Sequence, residues 1–144
     1  NHLRGTSCRV YITDMKVRIE QVDAFFYPDV FVTCSAEDAT RKDFKSEPRL
    51  VIEVLSPSTS AYDRGLKFAY YRELASLEEY VLIDPERFSV EVFRRDEGGR
   101  WVLYPFGASN VIDLSSIEMK LPIETVYEDA WPEAQVIPVD GRMR

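Results

Sequence analysis

The sequence contains one histidine, His2, and two cysteines, Cys8 and Cys34, among its 144 residues. A single histidine argues against a Ser-His-Asp triad, a histidine general base and a zinc site built from several histidines. The two cysteines form no CxxC motif, so we interpret them as reduced structural thiols of a cytoplasmic protein. Any catalysis must therefore depend on carboxylates, lysines and hydroxyl groups.

Long apolar runs, internal repeats and low-complexity segments are also absent from the sequence. No run approaches the ~20 apolar residues that span a membrane, and the first ten residues lack the charged-then-apolar order of a signal peptide. We therefore expect a soluble cytoplasmic protein with no membrane segment. Its length predicts a single domain over residues 1–144, with residues 131–144 as a C-terminal tail.

The charge balance is acidic, with 18 Lys and Arg against 25 Asp and Glu and a net charge of -7. This charge opposes indiscriminate binding to a polyanion such as DNA, whereas a surplus of carboxylates suits a divalent cation. The candidate phosphate contacts are Arg41, Lys42, Lys45, Arg64 and Arg72. For the first three, a solvated charged loop is the simpler interpretation.

The apolar spacing predicts strands on both sides of one helical segment. Residues 50–55, LVIEVL, are nearly all apolar, as expected of a central strand covered on both faces. The segment at 56–79 changes to helical spacing, with an apolar stripe made of Leu66, Tyr70, Leu74 and Leu77. Ser60 and Asp63 have the spacing of a capping box at its start.

The other predicted elements complete a mixed sheet. Asp96-Glu-Gly-Gly99 between two alternating segments is a strong hairpin signal. The remaining strands are predicted at 9–12, 16–21, 29–34, 79–84, 88–95, 100–106, 110–112 and 119–121, with a polar loop before residue 47 and a short helix at 124–130. This order of elements predicts the α/β class, with a helix packed on a mixed sheet.

Two acidic residues occupy unusual positions. Asp29 follows Pro28 at the start of a strand, where a simple Pro-Asp turn is an alternative explanation. Glu53 lies in the middle of the apolar strand LVIEVL, where a carboxylate is unfavourable unless a metal, a cation or several donors contact it. The alternative for Glu53 is a buried ion pair with Arg49 or Arg72.

The helical segment that follows carries an acid and a base on one face. Asp63 and Lys67 lie four residues apart, and an ordinary ion pair within the helix would explain them equally well. Tyr71 continues the same face. Gly65 costs the helix about 1 kcal/mol relative to alanine, which indicates close approach of a backbone or a ligand, or a packing constraint.

Taken together, these residues resemble the PD-(D/E)XK nuclease superfamily, in which a sheet presents an Asp and an Asp or Glu to a divalent metal. The segments YPDVFVTC, LVIEVLSPSTSAYDRGLKFAYYRELASLEEYVLID and VEVFRRDEGGRWVLY are similar to one branch, the bacterial putative restriction endonuclease family. The resemblance covers about residues 8–130. It implies a restriction-endonuclease-like mixed β-sheet flanked by helices.

The resemblance also implies a mechanism, a Mg²⁺-dependent endonuclease that hydrolyses DNA phosphodiester bonds, with Mn²⁺ as a possible substitute. Asp29 and Glu53 would supply carboxylate ligands, and the carbonyl oxygen of Val54 would supply a third ligand. Lys67 would orient the nucleophilic water or contact the scissile phosphate. Asp63 would orient Lys67 or bind the metal indirectly.

This chain departs from the family pattern at two places. In the parent motif the lysine follows the acid by two residues on the same strand, and here that position is Leu55. The matching lysine is Lys67, within a D-R-x-x-K pattern that begins at Asp63. Family members also carry an upstream stretch similar to E-L-I-D-G-E, so we expect that this chain lacks an N-terminal segment.

Two other functions remain open at this stage. One is a non-catalytic binding or assembly module that retains the nuclease fold, which the acidic charge and the expected truncation favour. The other is a metal-dependent hydrolase acting on RNA or another phosphodiester. Hairpin strands and a 12% aromatic content also make a homodimer plausible, and a pair of sites would suit cleavage of both DNA strands.

Overall fold

The fold, seen in a computed structural model that describes residues 3–128, is built on one six-stranded sheet. Its strand order is β1-β4-β5-β6-β7-β8, in which β5 and β6 are parallel and the other neighbours are antiparallel. These strands are β1 (Arg9–Ile12), β4 (Val30–Thr33), β5 (Pro48–Val54), β6 (Glu79–Ile83), β7 (Ser89–Arg95) and β8 (Trp101–Gly107). The predicted α/β class and mixed sheet are confirmed.

Each face of the sheet packs against a two-stranded ribbon and at least one short helix. On one face lie β2 (Val17–Ile19), β3 (Ala24–Phe26), α2 (Ser60–Arg64) and α3 (Leu66–Tyr71). On the other face lie β9 (Val111–Leu114), β10 (Met119–Pro122) and α4 (Ile123–Tyr127). Each face therefore has its own apolar core, and the sheet separates the two.

The crossover from β5 to β6 positions most of the candidate site. Parallel neighbours require such a crossover, and here it contains α2 and α3, which meet at Gly65. The prediction of one continuous helix is wrong, because the chain leaves helical geometry at Gly65, where ψ is -97°. The predicted capping box is also wrong, since Thr59 precedes the helix and no side chain caps it.

The buried face of the crossover differs from the predicted stripe. Leu66 is exposed, whereas Phe68 and Tyr71 are buried in the core beside β5 and β6. The break at Gly65 rotates α3 relative to a continuous helix, which explains the change of face. Leu74 and Leu77 are buried as predicted, although both follow the end of α3.

The segment predicted as a polar loop contains a helix, α1 (Ala36–Thr40), capped by the Ser35 hydroxyl. Asp38 in this helix is buried and accepts hydrogen bonds from the Thr33 hydroxyl and from the backbone N–H groups of Ser46 and Glu47. Burial alone would raise the pKa of Asp38, but these bonds and the Arg41 guanidinium outweigh it and lower the pKa. The carboxylate therefore holds the connection between β4 and β5 together.

The two cysteines form a disulfide. β1 pairs with β4 so that Arg9 lies opposite Thr33, which brings Cys8 and Cys34 face to face at the end of the ladder. The expectation of two reduced thiols is wrong. Their separation in sequence gave no sign of this contact because it depends on the pairing of two strands.

The remaining boundaries differ by a few residues from the predicted ones. The strand β3 was not predicted, and α4 begins at Ile123 and ends at Tyr127. The end of the predicted helix at 129–130, the tail at 131–144 and His2 lie outside the described residues. Within residues 3–128, no helix is long and apolar enough to cross a membrane.

Candidate functional site

Asp29 and Glu53 lie opposite each other on neighbouring strands. Val30 at the start of β4 pairs with Ile52 of β5, so continuing the antiparallel register by one residue aligns Asp29 with Glu53. The backbone N–H of Asp29 donates to Oε1 of Glu53 at 3.4 Å. Oδ2 of Asp29 accepts from the backbone N–H of Val54 at 2.7 Å.

Glu53 points to the face of the sheet that α2 and α3 cover. Val51 on β5 and Leu55 just after it have the same orientation and are buried in the core with Phe68 and Tyr71 of α3. The side chain of Glu53 is itself 4% exposed. A carboxylate so buried requires a compensating charge or ligand.

Lys67 supplies that charge. Its Nζ lies 2.9 Å from Oε2 of Glu53 and 3.7 Å from Oδ1 of Asp63. The contact to Oε2 is an ion pair without a well-aligned hydrogen bond, and Oε2 accepts no hydrogen bond from any described residue. The proposed alternative partners of Glu53 are excluded, because Arg49 pairs with Glu78 and Arg72 lies over the Phe68 ring.

Asp63 completes the charged group from α2. It is buried, and Lys67 is the cation it faces, so the ion pair given above as the alternative explanation for these two residues is present. The hydroxyl of Tyr80 donates to the backbone carbonyl of Asp63 at 2.9 Å. This bond anchors the end of α2 to β6.

The surroundings of Glu53 raise the pKa of its carboxyl group. Burial raises the pKa of Glu53 to about 7, although the positive charge of Lys67 acts in the opposite direction. The negative charges of Asp29 and Asp63 raise it further. Near neutral pH the carboxyl group is therefore poised between its two protonation states, which is typical of functional sites.

Asp29 and Glu53 fit a hard divalent cation because each has a carboxylate oxygen that accepts no hydrogen bond from a described residue. Mg²⁺ is commonly held by one or two carboxylates, with water and substrate oxygens as its other ligands. Oε2 of Glu53 accepts no hydrogen bond from a described residue, and the same is true of Oδ1 of Asp29. Residues 3–128 contain no group of three His, Cys, Asp or Glu side chains arranged around one point, so a metal here would depend on two carboxylates.

Three aromatic residues around this group were not assigned a role from the sequence. The Phe26 ring centroid lies 5.5 Å from Nζ of Lys67. Tyr71 is completely buried, and its hydroxyl makes no hydrogen bond in the described chain. Burial and then the nearby Glu53 charge raise the pKa of Tyr71 well above its ordinary value. For Tyr71, its position four residues after Lys67 could have indicated that it lies beside the site. No sequence pattern indicated this for Phe26 or Tyr80.

Most of the cations predicted to contact phosphate are already engaged. Lys45 is buried and donates to the backbone carbonyls of Asp38 and Arg41, so that prediction is wrong for Lys45. Arg41 pairs with Asp38, and Arg64 pairs with Glu91. Lys42 and Arg72 remain exposed and form no ion pair with any described residue.

Comparison with known proteins finds similarity along most of the chain. The model of the Uma2 family, described as "Putative restriction endonuclease", matches residues 1–124. An uncharacterized protein of Synechocystis sp. (strain ATCC 27184 / PCC 6803 / Kazusa) is 35% identical over 127 residues, 88% of this chain and 67% of that protein. A second uncharacterized protein of the same organism is 33% identical over 96 residues, and the match spans 65% of this chain and 54% of that protein.

One solved structure has the same fold. It is the crystal structure of a putative nuclease belonging to DUF820 from Anabaena variabilis ATCC 29413. The TM-score is 0.68 at 18% sequence identity, and the match covers 87% of this chain and 70% of that one. At this identity the likeness concerns the architecture, and it agrees with the mixed sheet and flanking helices described above.

Proposed function

The chain belongs to the Uma2 putative restriction endonuclease family, and on this premise we propose that it is a Mg²⁺-dependent endonuclease acting on DNA. The observation that carries the proposal is the convergence of Asp29, Glu53 and Lys67 at the end of β5. A buried carboxylate, Glu53, with a half-buried one, Asp29, beside one ammonium group suits hydrolysis of a phosphodiester. Such a site needs no histidine.

In this proposal Asp29 and Glu53 hold the metal, and the carbonyl oxygen of Val54 is a third candidate ligand by family resemblance. Bound there, Mg²⁺, or Mn²⁺ in its place, would neutralise charge on the phosphate and lower the pKa of a coordinated water. Asp29 is held in place by the N–H of Val54. Glu53 must lose its proton to act as a ligand.

Lys67 acts on the substrate side of the same group. Its ammonium is a compact charge that can contact the scissile phosphate or orient the attacking water. Asp63, 3.7 Å from Nζ, positions Lys67 without contacting the substrate. The ring of Phe26 covers the ammonium and limits the directions it can take.

The direct test is nicking of supercoiled plasmid DNA in Mg²⁺ by the full chain, Glu53→Gln and Lys67→Met. We expect nicking by the wild type, its loss in EDTA, and no nicking by Glu53→Gln or Lys67→Met. Lys120→Met, a change at an exposed lysine of β10, serves as the control. Equal nicking by all four proteins would remove Glu53 and Lys67 from the proposed site, and cleavage of RNA alone would replace DNA as the substrate.

A non-catalytic binding module is the second candidate function. It is favoured by one observation, that Lys67 and the N–H of Val54 already compensate the two carboxylates without a metal. Calorimetric titration with Mn²⁺ separates the two functions. Heat of binding that disappears in Asp29→Ala supports the nuclease, and no binding by the wild type supports the module.

We also propose that the protein forms a homodimer. The outer strands of the sheet, β1 and β8, each pair with one neighbour in the described chain. β1 exposes Val10 and Ile12, and β8 exposes the run Val102 to Tyr104. Apolar edge strands favour pairing with another chain. A monomeric mass by light scattering would contradict this proposal.

A further inference from the structure

The outer face of the β2–β3 ribbon combines aromatic rings with cations. Arg18 pairs with Phe25 across the ribbon, and Val17 pairs with Phe26. Because side chains alternate along a strand, the buried Val17 places Phe26 on the inner face and Arg18 with Phe25 on the outer face. Phe25 is 48% exposed, and Tyr27, two residues further, is 56% exposed.

The cations of this face are held by rings rather than by carboxylates. Nζ of Lys16 lies 5.0 Å from the Phe25 centroid, and Cζ of Arg18 lies 5.8 Å from Phe25 and 5.9 Å from Phe44. Phe25 and Phe44 meet edge to face at 6.2 Å. We call Lys16, Arg18, Phe25 and Phe44 the cation–ring surface.

Neither cation of this surface is neutralised within the described chain. Lys16 and Arg18 form no ion pair with any of the carboxylates at residues 3–128. Nε of Arg18 is buried and makes no hydrogen bond there. On a protein with a net charge of -7, two uncompensated cations beside an exposed ring form a local site for an anion with a flat apolar group.

The cation–ring surface and the proposed active site are close because neighbouring residues of the chain belong to each. Phe26, between Phe25 and Tyr27, contacts Lys67 from the inner face. Asp29 follows Phe25 by four positions, which limits the distance between their Cα atoms to about 14 Å. A polymer that lies on the ribbon can therefore extend to the carboxylates.

Single-stranded DNA has the chemistry that this surface requires. Its bases expose flat faces that stack on aromatic rings, and its phosphates pair with Lys and Arg. A duplex buries those base faces between neighbouring base pairs, so it could use only the two cations. An apolar protein segment could use the rings but would remove both cations from water without pairing them.

We propose that the cation–ring surface binds single-stranded DNA and directs the strand toward Asp29 and Glu53. The proposal rests on the proposed nuclease function and specifies its substrate as DNA with an unpaired segment. Stacking on Phe25 and, further along, on Tyr27 supplies contacts that do not depend on base sequence. Lys16 and Arg18 supply the salt-dependent part of the affinity.

The experiment measures binding without cleavage. The full chain in EDTA is titrated against fluorescein-labelled oligodeoxythymidylate and against a labelled duplex of equal length, with fluorescence anisotropy as the readout. We expect the wild type to bind the single strand at least about 10-fold more tightly than the duplex, because stacking on one aromatic ring typically changes affinity by about 5- to 100-fold. No binding of the single strand, or equal binding of both, would overturn the proposal.

Variants separate stacking from charge. Phe25→Ala should weaken single-strand binding by about 5- to 100-fold, whereas Phe25→Trp, which keeps an aromatic ring, should bind as the wild type does. Arg18→Gln should make the negative slope of log affinity against log salt shallower by about 0.7, the value for one phosphate contact on a single strand. Phe88→Ala is the matched control, since Phe88 is 45% exposed and packs on Tyr127 instead. Equal losses in Phe25→Ala and Phe88→Ala would contradict the proposal.

Failure of this proposal is distinguishable from failure of the proposed function. Cleavage of the same single strand by the wild type in Mg²⁺ is measured separately from binding in EDTA. If Phe25→Ala binds normally and the wild type still cuts, the cation–ring surface is not the binding surface. If the wild type binds single strands through Phe25 but does not cut in Mg²⁺, the nuclease assignment fails and the binding surface stands.

Discussion

Nζ of Lys67 lies 2.9 Å from Oε2 of Glu53, although the two residues come from different elements, α3 and β5. Both side chains are almost completely removed from water, at 13% and 4% exposed. In the parent motif the lysine stands on the same strand as the acid. Here the break at Gly65 and the packing of Phe68 on Tyr80 at 4.6 Å bring a lysine from the crossover beside Glu53.

Removing the ammonium should therefore remove activity. Lys67→Met preserves much of the side-chain volume but leaves the phosphate without its positive contact. We expect plasmid nicking to fall by at least about 100-fold, the scale of losing one preorganised charge at a reacting centre. Retention of wild-type nicking would show that another group performs this role.

The raised pKa of Glu53 predicts a specific dependence of stability on pH. Its ordinary pKa is 4.5, and in the folded protein it is about 7. Between these values the folded protein holds a proton that the unfolded chain has released, so this group favours folding at about pH 5 and loses that effect as pH rises through about 7. We expect the difference in Tm, wild type minus Glu53→Gln, to be larger at about pH 5 than at about pH 8. A constant difference from about pH 5 to 8 would contradict the raised pKa.

Tyr71 and Tyr80 form a matched pair of buried hydroxyls. The Tyr71 hydroxyl has no hydrogen-bond partner in the described chain, whereas that of Tyr80 donates to the Asp63 carbonyl. Tyr71→Phe should raise the free energy of unfolding by about 1 kcal/mol, because it removes an unsatisfied polar group. Tyr80→Phe should lower it by about 1 kcal/mol. Chemical denaturation measures both, and equal destabilisation would contradict the difference between the two sites.

The disulfide predicts a dependence of stability on redox conditions. Closing the chain between Cys8 and Cys34 should contribute about 2–4 kcal/mol under oxidising conditions. Dithiothreitol should lower the Tm of the wild type but not that of the Cys8→Ser, Cys34→Ser double variant.

The same bond bears on where the protein acts. We propose a cytoplasmic location because DNA is the proposed substrate, and that compartment keeps thiols reduced. Plasmid nicking should therefore persist after reduction, since Asp29 is held to Glu53 and Val54 by hydrogen bonds that do not involve the disulfide. Loss of nicking on reduction alone would argue against a cytoplasmic role.

The sequence predicted those parts of the site that depend on local pattern. The apolar run around Glu53 predicted its burial, and the four-residue spacing predicted the contact between Asp63 and Lys67. The order of the segments that contain Asp29, Glu53 and Lys67 predicted the family, and the match to the Uma2 family confirms it. These features depend on short-range periodicity and on strand burial, which a single sequence records.

Features that depend on long-range pairing could not be predicted in this way. The disulfide depends on the register of β1 against β4, and the burial of Lys45 depends on two backbone carbonyls that turn toward it. Phe25 and Phe44 meet because the β2–β3 ribbon folds against the loop after α1. Their spacing of 19 residues follows no repeat of a helix or strand, so nothing in the sequence signalled the cation–ring surface.

The measurement that tests the account most directly is a crystal structure of the full chain soaked in Mn²⁺, with anomalous scattering used to locate the ion. We predict one Mn²⁺ peak bonded to carboxylate oxygens of both Asp29 and Glu53, which disappears in a matched crystal of Asp29→Ala. A well-ordered structure at high Mn²⁺ with no peak at these carboxylates, and Lys67 still paired with Glu53, would contradict the proposed metal-dependent nuclease.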